Sequence, residues 1–243
     1  MERQKIVLIT GASGGLGKAI IPYLSEQGYT LALQADQRAE ELIGWLTEHK
    51  IKNADVFKAR LTDLDSCKSL LNRVEDQLGG VSYLINNAGI NRSGSAHKLS
   101  ASDFDSVLQL NVTVPFYLSS LVAEKMIEQG YGRIVHMSSV VARLPVSGTV
   151  AYAASKAALT GMARAQAADW AKFGITVNCI APGYMDKGMI EEVPEKILGG
   201  LLQQIPSRKL GDAAQLGELV VFLFGEGSSY INGQTIGING GML

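Results

Sequence analysis

Seven short runs of aliphatic and β-branched residues, all but the last followed by a helix-length amphipathic segment, constrain this chain more than any other feature. The runs fall at residues 5–10, 30–34, 55–59, 83–86, 132–138, 176–181 and 235–238, and helical periodicity occupies 17–27, 39–49, 64–78, 102–129, 152–173 and 213–224. Strands that alternate with crossover helices can pair in parallel only, so the pattern predicts an α/β fold: a doubly wound, Rossmann-type sheet of about seven parallel strands with helices on both faces. No linker, repeat or low-complexity tract divides the 243 residues, which predicts one domain over 1–243. The least regular stretch is 183–205, with Gly188, Pro194, Gly199 and Gly200; its length after a strand predicts a mobile lid over a ligand.

Bulk properties exclude several function classes. The formal net charge is −1 and the 22 Lys and Arg are dispersed, so no extended basic surface for nucleic acid or anionic membrane is expected. Cys67 and Cys179 stand far apart with no metal-ligand spacing, which fits a reduced cytoplasmic protein without a metal site. The opening Met1-Glu2-Arg3-Gln4-Lys5 leads straight into a strand, with no signal-peptide core and no uninterrupted apolar run near 18 residues, so neither export nor membrane insertion is expected.

The chemistry-bearing residues lie at predicted strand ends. Thr10-Gly11-Ala12-Ser13-Gly14-Gly15-Leu16-Gly17 joins the first strand to the first helix, where glycines admit a close phosphate and a helix N-terminus offers free N–H groups. A tight turn alone would also use such glycines. Asn86-Asn87-Ala88-Gly89 ends the fourth strand, and Ser138-Ser139 ends the fifth, thirteen residues before Tyr152. Tyr152 and Lys156, four apart, share a helix face. An ammonium there would favour the phenolate and lower a Tyr pKa from its usual value near ~10, making Tyr152 a general acid; a half-buried Tyr beside a solvated Lys is the plainer alternative.

Together these residues resemble the classical short-chain dehydrogenase/reductase family. Thr10-Gly11-x-x-x-Gly15-x-Gly17, Asn86-Asn87-Ala88-Gly89, Asn111, Ser139, Tyr152-x-x-x-Lys156 and Pro182-Gly183 stand in the family's order and spacing. Within the family, Gly132-Arg133-Ile134-Val135, Gly174-Ile175-Thr176-Val177-Asn178, Ile205-Pro206 and the tail from Tyr230 to Met242 are most similar to 3-oxoacyl-[acyl-carrier-protein] reductases. The resemblance implies a nicotinamide dinucleotide, NADP(H) or NAD(H), and reduction of a 3-oxoacyl thioester in fatty acid biosynthesis.

It also implies roles. Tyr152 would protonate the carbonyl, Ser139 would bond its oxygen, Lys156 would hold ribose hydroxyls and lower the Tyr pKa, and Asn111 would anchor a proton-relay water. Gly11, Ser13, Gly14, Gly15, Leu16, Gly17, Asp36, Asn87, Ala88, Gly89, Pro182, Gly183 and Met185 would contact the cofactor. A homotetramer is implied, built through the helices from Ser102 and Tyr152 and the C-terminal segment.

Three positions depart from the family pattern. Arg60 replaces an acid that meets adenine, Lys187 replaces a Thr four residues after Pro-Gly, and Gly14 replaces a basic residue common in NADPH-using members. The second strand ends Gln34-Ala35-Asp36-Gln37-Arg38, so Asp36 and Arg38 pull cofactor choice in opposite directions, unless Asp36 merely caps the next helix. Arg92, Arg133 and Lys172 are the candidate cations for an acidic carrier protein at the site mouth. Acetoacetyl-coenzyme A reduction, a short-chain alcohol, sugar or steroid dehydrogenase, and a non-catalytic dinucleotide sensor are the competing functions.

Overall fold

The computed structural model describes residues 5–193 and 195–243, so Met1 to Gln4 and Pro194, which figured above in the N-terminal and lid expectations, lie outside the described residues. Seven strands form one parallel sheet: β1 (Ile6–Ile9), β2 (Thr30–Ala35), β3 (Ala54–Lys58), β4 (Tyr83–Asn86), β5 (Gly132–Met137), β6 (Ile175–Pro182) and β7 (Thr235–Ile238). Their order is β3-β2-β1-β4-β5-β6-β7. The chain therefore reverses direction across the sheet between β1 and β4. Crossovers on either side of that point leave opposite faces, opening a crevice at the carboxyl ends of β1 and β4.

The strands read as continuous apolar runs because both faces are covered. β1 is Ile-Val-Leu-Ile and wholly buried, with Val7 and Ile9 in one hydrophobic cluster and Ile6 and Leu8 in another. Helices α1 (Gly15–Glu26), α2 (Ala39–Glu48) and α8 (Ala214–Phe224) pack the first cluster through Ile20, Leu42 and Val220. Helices α3 (Leu64–Leu78), α5 (Val114–Gln129) and α6 (Val150–Trp170) pack the second through Leu70, Leu118 and Leu159. The two layers are thus each anchored by one parity of the same strands.

Three expectations about elements are corrected. The helix predicted over 102–129 is α4 (Ala101–Leu108), a π-helical segment Gln109–Thr113, and α5. Pro115 supplies no N–H and its ring crowds the carbonyl four residues back, that of Asn111, so regular α-helix cannot pass this point. The continuous stretch Ala101–Gln129 also reaches a mean hydropathy of 1.3 over an 18-residue window, although no uninterrupted apolar run marks it; 44% of that window is buried, and α3, α6 and the sheet account for the apolar face. Finally, 183–205 is not irregular. It contains a 3₁₀ turn, Met189–Glu192, and helix α7 (Glu195–Gln204). Gly199 and Gly200 hide that helix from propensity, since each lowers helix preference by about 1 kcal/mol relative to Ala.

Candidate active site

The site assembles from hydrogen bonds that tie strand ends together. Thr10, just beyond β1, accepts the backbone N–H groups of Asn87 and Ala88 on its Oγ1, each at 3.0 Å. The Asn87 side chain returns two bonds, from Nδ2 to the carbonyls of Thr10 and Gly11, both 3.0 Å. The segment after β4 is thereby locked onto the glycine loop. Gly11 has φ +62°, and a Cβ there would come within 2.7 Å of the Ala88 Cα, so no other residue fits.

A residue that the motif search missed completes the loop. Gln34, 4% exposed near the end of β2, accepts the Gly11 N–H on Oε1 at 2.8 Å and donates from Nε2 to the Ala59 carbonyl at 2.7 Å. Its signal was available: it is the one amide in the otherwise apolar strand Thr30–Ala35. Ser13 is buried, Gly14 is the N-cap of α1 and offers no side-chain cap, and no acid stands in the helix's first turn. A Cβ on Gly17 would sit 2.8 Å from the carbonyls of Gly11 and Ala12. With Gln34 and Asn87 bracing the loop, the turn offers only backbone N–H groups at its helix end, where the potential is positive.

Asn111 is 1% exposed, and its amide is fully committed. Oδ1 accepts from Ile90 N at 2.9 Å, while Nδ2 donates to the Ile90 carbonyl at 2.9 Å and to Ser155 Oγ at 3.0 Å. The π turn aims the side chain at the end of β4. Because both amide hydrogens are taken, a water contact by this residue falls to its carbonyl, which Pro115 cannot bond. A Cβ on Gly89 would lie 3.2 Å from Asn111 Oδ1 and 3.5 Å from Lys156 Nζ, so these three positions converge.

Lys156 is 4% exposed and donates from Nζ to the Met137 carbonyl at 2.6 Å, while its own carbonyl accepts from Ser138 Oγ at 2.9 Å. The Tyr152 ring centroid lies 5.3 Å from that Nζ. Burial pulls the Lys156 ammonium down to about 8, with the nearby Cys179 acting in the opposite sense. Burial pushes the Tyr152 hydroxyl up to about 12, against a hydrogen bond with Ser139 that lowers it. The expected lowering of the Tyr pKa by Lys156 is not what this geometry produces: desolvation sets the direction, and the opposing group is the Ser139 hydroxyl. Ser139 is extended at φ −168° and accepts from Val141 N at 3.3 Å, which fixes its side chain at the end of β5.

On the far side, Pro182 ends β6 and Gly183 N donates to the Ile238 carbonyl at 2.9 Å. Met185 forms a parallel bridge with Gly211 through its neighbours, Asp186 N to Gly211 O at 2.8 Å and Gly211 N to Tyr184 O at 2.9 Å. In that pattern the N–H and C=O of Met185 itself face away from Gly211. The loop then crosses the glycine loop: a Cβ on Gly15 would overlap the Gly188 nitrogen and lie 2.8 Å from its Cα, and Leu16 packs 3.6 Å from the Cβ position of Gly188.

Two peripheral expectations change. Asp36 is exposed beyond the end of β2, and α2 begins at N-cap Arg38 with no side-chain cap, so Asp36 does not cap it. Of the three candidate mouth cations, only Arg92 is on the site's side of the sheet, 3.8 Å from Asp103. Arg133 starts β5 and bonds the carbonyls of Gly132 and Gly174 at 2.9 and 3.0 Å; Lys172 precedes β6 at the same amino edge. Both stand a strand length, roughly 20 Å, from Ser139.

Comparison with known proteins agrees with this geometry. Residues 5–198 match the model of the family described as short chain dehydrogenase. Similar proteins include nodulation protein G of Azospirillum brasilense, 36% identical over 98% of this chain and 98% of the relative. The 3-oxoacyl-[acyl-carrier-protein] reductase FabG of Staphylococcus aureus (strain N315) is 34% identical over 100% of this chain and 99% of the relative. A crystal structure from Agrobacterium tumefaciens, assigned provisionally as a gluconate dehydrogenase, superposes with a TM-score of 0.92 at 29% identity, covering 98% of this chain and 95% of that one.

Proposed function

Since the chain belongs to the short-chain dehydrogenase family of oxidoreductases, we propose that it reduces a 3-oxoacyl thioester, carried on acyl carrier protein, to the 3-hydroxyacyl product with NAD(P)H in the cytoplasm. The observation that carries the reaction type is the convergence of Ser139, Tyr152, Lys156 and Asn111 at the carboxyl edge of β4 and β5. Gly11, Gly15 and Gly17 pack tightly against the backbone of Ala88, Gly188 and Ala12, and the uncapped N-terminus of α1 that they form suits a dinucleotide diphosphate. A bound nicotinamide would supply hydride to the carbonyl carbon.

The protein's own residues handle the proton. Tyr152 is protonated at neutral pH and would give that proton to the carbonyl oxygen; with its hydroxyl pushed up to about 12 it is a weak acid on its own, so the transfer depends on the groups that stabilise its phenolate. Ser139, whose hydroxyl acts on Tyr152, would share the charge that develops on the oxygen. Lys156, fixed at Met137, stands ready to stabilise the resulting phenolate and to meet ribose hydroxyls. Asn87, Ala88 and Gly89 would line the adenosine side, Asp36 the ribose, and Pro182, Gly183 and Met185 the carboxamide. Residues 183–205, crossing the glycine loop at Gly188, serve as the lid of a single domain. Exposed Phe116 on α5, Val150 on α6, and Phe222 and Tyr230 near the C-terminus support a homotetramer through those surfaces.

A second reading, a dehydrogenase of a small hydroxylated substrate, is favoured by the placement of Arg133 and Lys172 away from the site, which leaves only Arg92 of the three expected cations to attract an acidic carrier. Turnover of acetoacetyl-acyl carrier protein, acetoacetyl-coenzyme A and gluconate with NADPH and NADH separates the two. Activity on the carrier-linked thioester is expected, and Tyr152→Phe should lower kcat by about 10²-fold or more with dinucleotide affinity unchanged. Thioester activity that is absent while a hydroxylated acid turns over would overturn the first reading; full activity in Tyr152→Phe would overturn both.

A further inference from the structure

The loop after β6 carries a cation to the end of α1. Lys187 is exposed, and its Cβ lies 3.1 Å from the Cβ position of Gly15, the first residue of that helix. The loop is held there at several points: the Met185–Gly211 bridge, Ala213 N bonded to Asp186 Oδ1 at 2.9 Å, and Gly188 N bonded to Glu191 Oε2 at 2.8 Å. Gly188 has φ +87°, which lets the chain turn directly over the helix end. Among the described residues, the glycine loop and α1 themselves bring no free cation to this spot. Gly14 brings none, and Lys18 is drawn toward α2, with Nζ 2.6 Å from Glu41 and 5.9 Å from the Trp45 ring. Asp186 is turned away to Ala213, whereas Glu191 stays close by, accepting from the Gly188 N–H, and among the described residues Lys187 joins no ion pair.

We infer that Lys187 is a diphosphate ligand, a cation that the β6 loop sets over the uncapped N-terminus of α1 to pair with the dinucleotide's diphosphate. The inference rests on the reading of this cleft as a dinucleotide site. A lysine suits the position because a compact ammonium on a flexible stem can follow phosphate oxygens from an exposed loop, in addition to the backbone N–H groups beneath. The diphosphate is assigned over a ribose phosphate on position alone. A 2′-phosphate would lie at the end of β2, beside Asp36 and Arg38, whereas Lys187 rests on Gly15.

The test is direct binding, by titration calorimetry with ADP-ribose and adenosine and by fluorescence with NADH and NADPH, on the full chain and its Lys187→Gln and Lys187→Arg variants. At about 50 mM salt, Lys187→Gln should weaken ADP-ribose, NADH and NADPH alike by about three- to ten-fold, and adenosine not at all, with the deficit shrinking at about 0.5 M salt. Lys187→Arg should keep most of the affinity. An unchanged ADP-ribose affinity, an equal loss with adenosine, or a loss confined to NADPH would each overturn the assignment. If the unmodified chain binds no dinucleotide, the oxidoreductase reading falls with it; if it binds and Lys187→Gln matches it, only Lys187 is at fault.

Discussion

Lys156 is held where a lysine is poorly solvated, 4% exposed, with its ammonium bonded to the Met137 carbonyl. Burial brings its pKa down to about 8 from 10.5. Between those values the unfolded chain keeps a proton that the folded one has released, so stability rises with pH across the window and the full penalty stands below 8. A displacement of that size corresponds to about 3 kcal/mol. Lys156→Met should therefore be inactive yet more stable than the parent at pH 7, by about 1–3 kcal/mol, with the gain fading as pH approaches 10.5. Urea unfolding at pH 7 and pH 9.5 measures this, and a variant less stable at pH 7 would refute it. The Tyr-Lys spacing was legible because it depends on helical pitch alone. The direction of the Tyr152 pKa was not, because it depends on desolvation by neighbours that are distant in sequence.

At the scale of elements, the strands were legible almost to the residue, since sequences such as Ile6–Ile9 and Gly132–Met137 are buried on both faces and cannot be amphipathic helix. The interruption at Gln109–Thr113 and the helix Glu195–Gln204 were not legible. Pro115 signals a break in the first, but its π form goes with the way Asn111 reaches Ile90 across the fold, and the second has two glycines in its middle. The contact between α1 and the β6 loop was likewise invisible, although it gives Gly15 a meaning that a phosphate motif does not. A methyl at Gly15 would run into the backbone of Gly188, which cannot rotate aside, so Gly15→Ala must push the loop from the cleft. Alanine is otherwise the better helix residue at that first position. The expected result is a lowered melting temperature, since the clash is with held backbone, together with at least a tenfold loss of NADH affinity, roughly 1.4 kcal/mol. Gly199→Ala and Gly200→Ala, where a Cβ meets nothing within 4 Å, serve as controls and should stabilise without that loss. Equal NADH affinity in Gly15→Ala would show that the loop contact is not part of the binding conformation.

Across the whole molecule, one polar cluster ties sheet and helices together beneath the site. His136 on β5 is fully buried, with Nδ1 3.1 Å from Asn86 Nδ2 on β4 and Nε2 3.0 Å from Gln166 Oε1 on α6; Asn86 Nδ2 also reaches Ser119 Oγ on α5 at 3.1 Å. The cluster sets the α5/α6 layer against the strands that carry Ser139 and the Asn87 segment. Burial brings the His136 pKa down to about 4, the Gln166 bond opposes that, and the charge of Lys156 reinforces it. Below the ordinary value of 6.5 the unfolded chain takes up a proton that the folded chain refuses until about 4. Stability contributed by neutral His136 is present above pH 6.5 and is lost as pH falls through 4, a change of about 3 kcal/mol. Replacing it by glutamine keeps polar groups within reach of Asn86 and Gln166 but removes the titration. His136→Gln should be less stable than the parent at pH 7, by about 1–3 kcal/mol for imperfect hydrogen bonds. On acidification from pH 6.5 to 4.5 it should then lose distinctly less stability than the parent, so that the two unfolding curves converge. Parallel loss in both proteins over that range would mean that another group governs the acid limb, and that this histidine joins the layers without sensing protons.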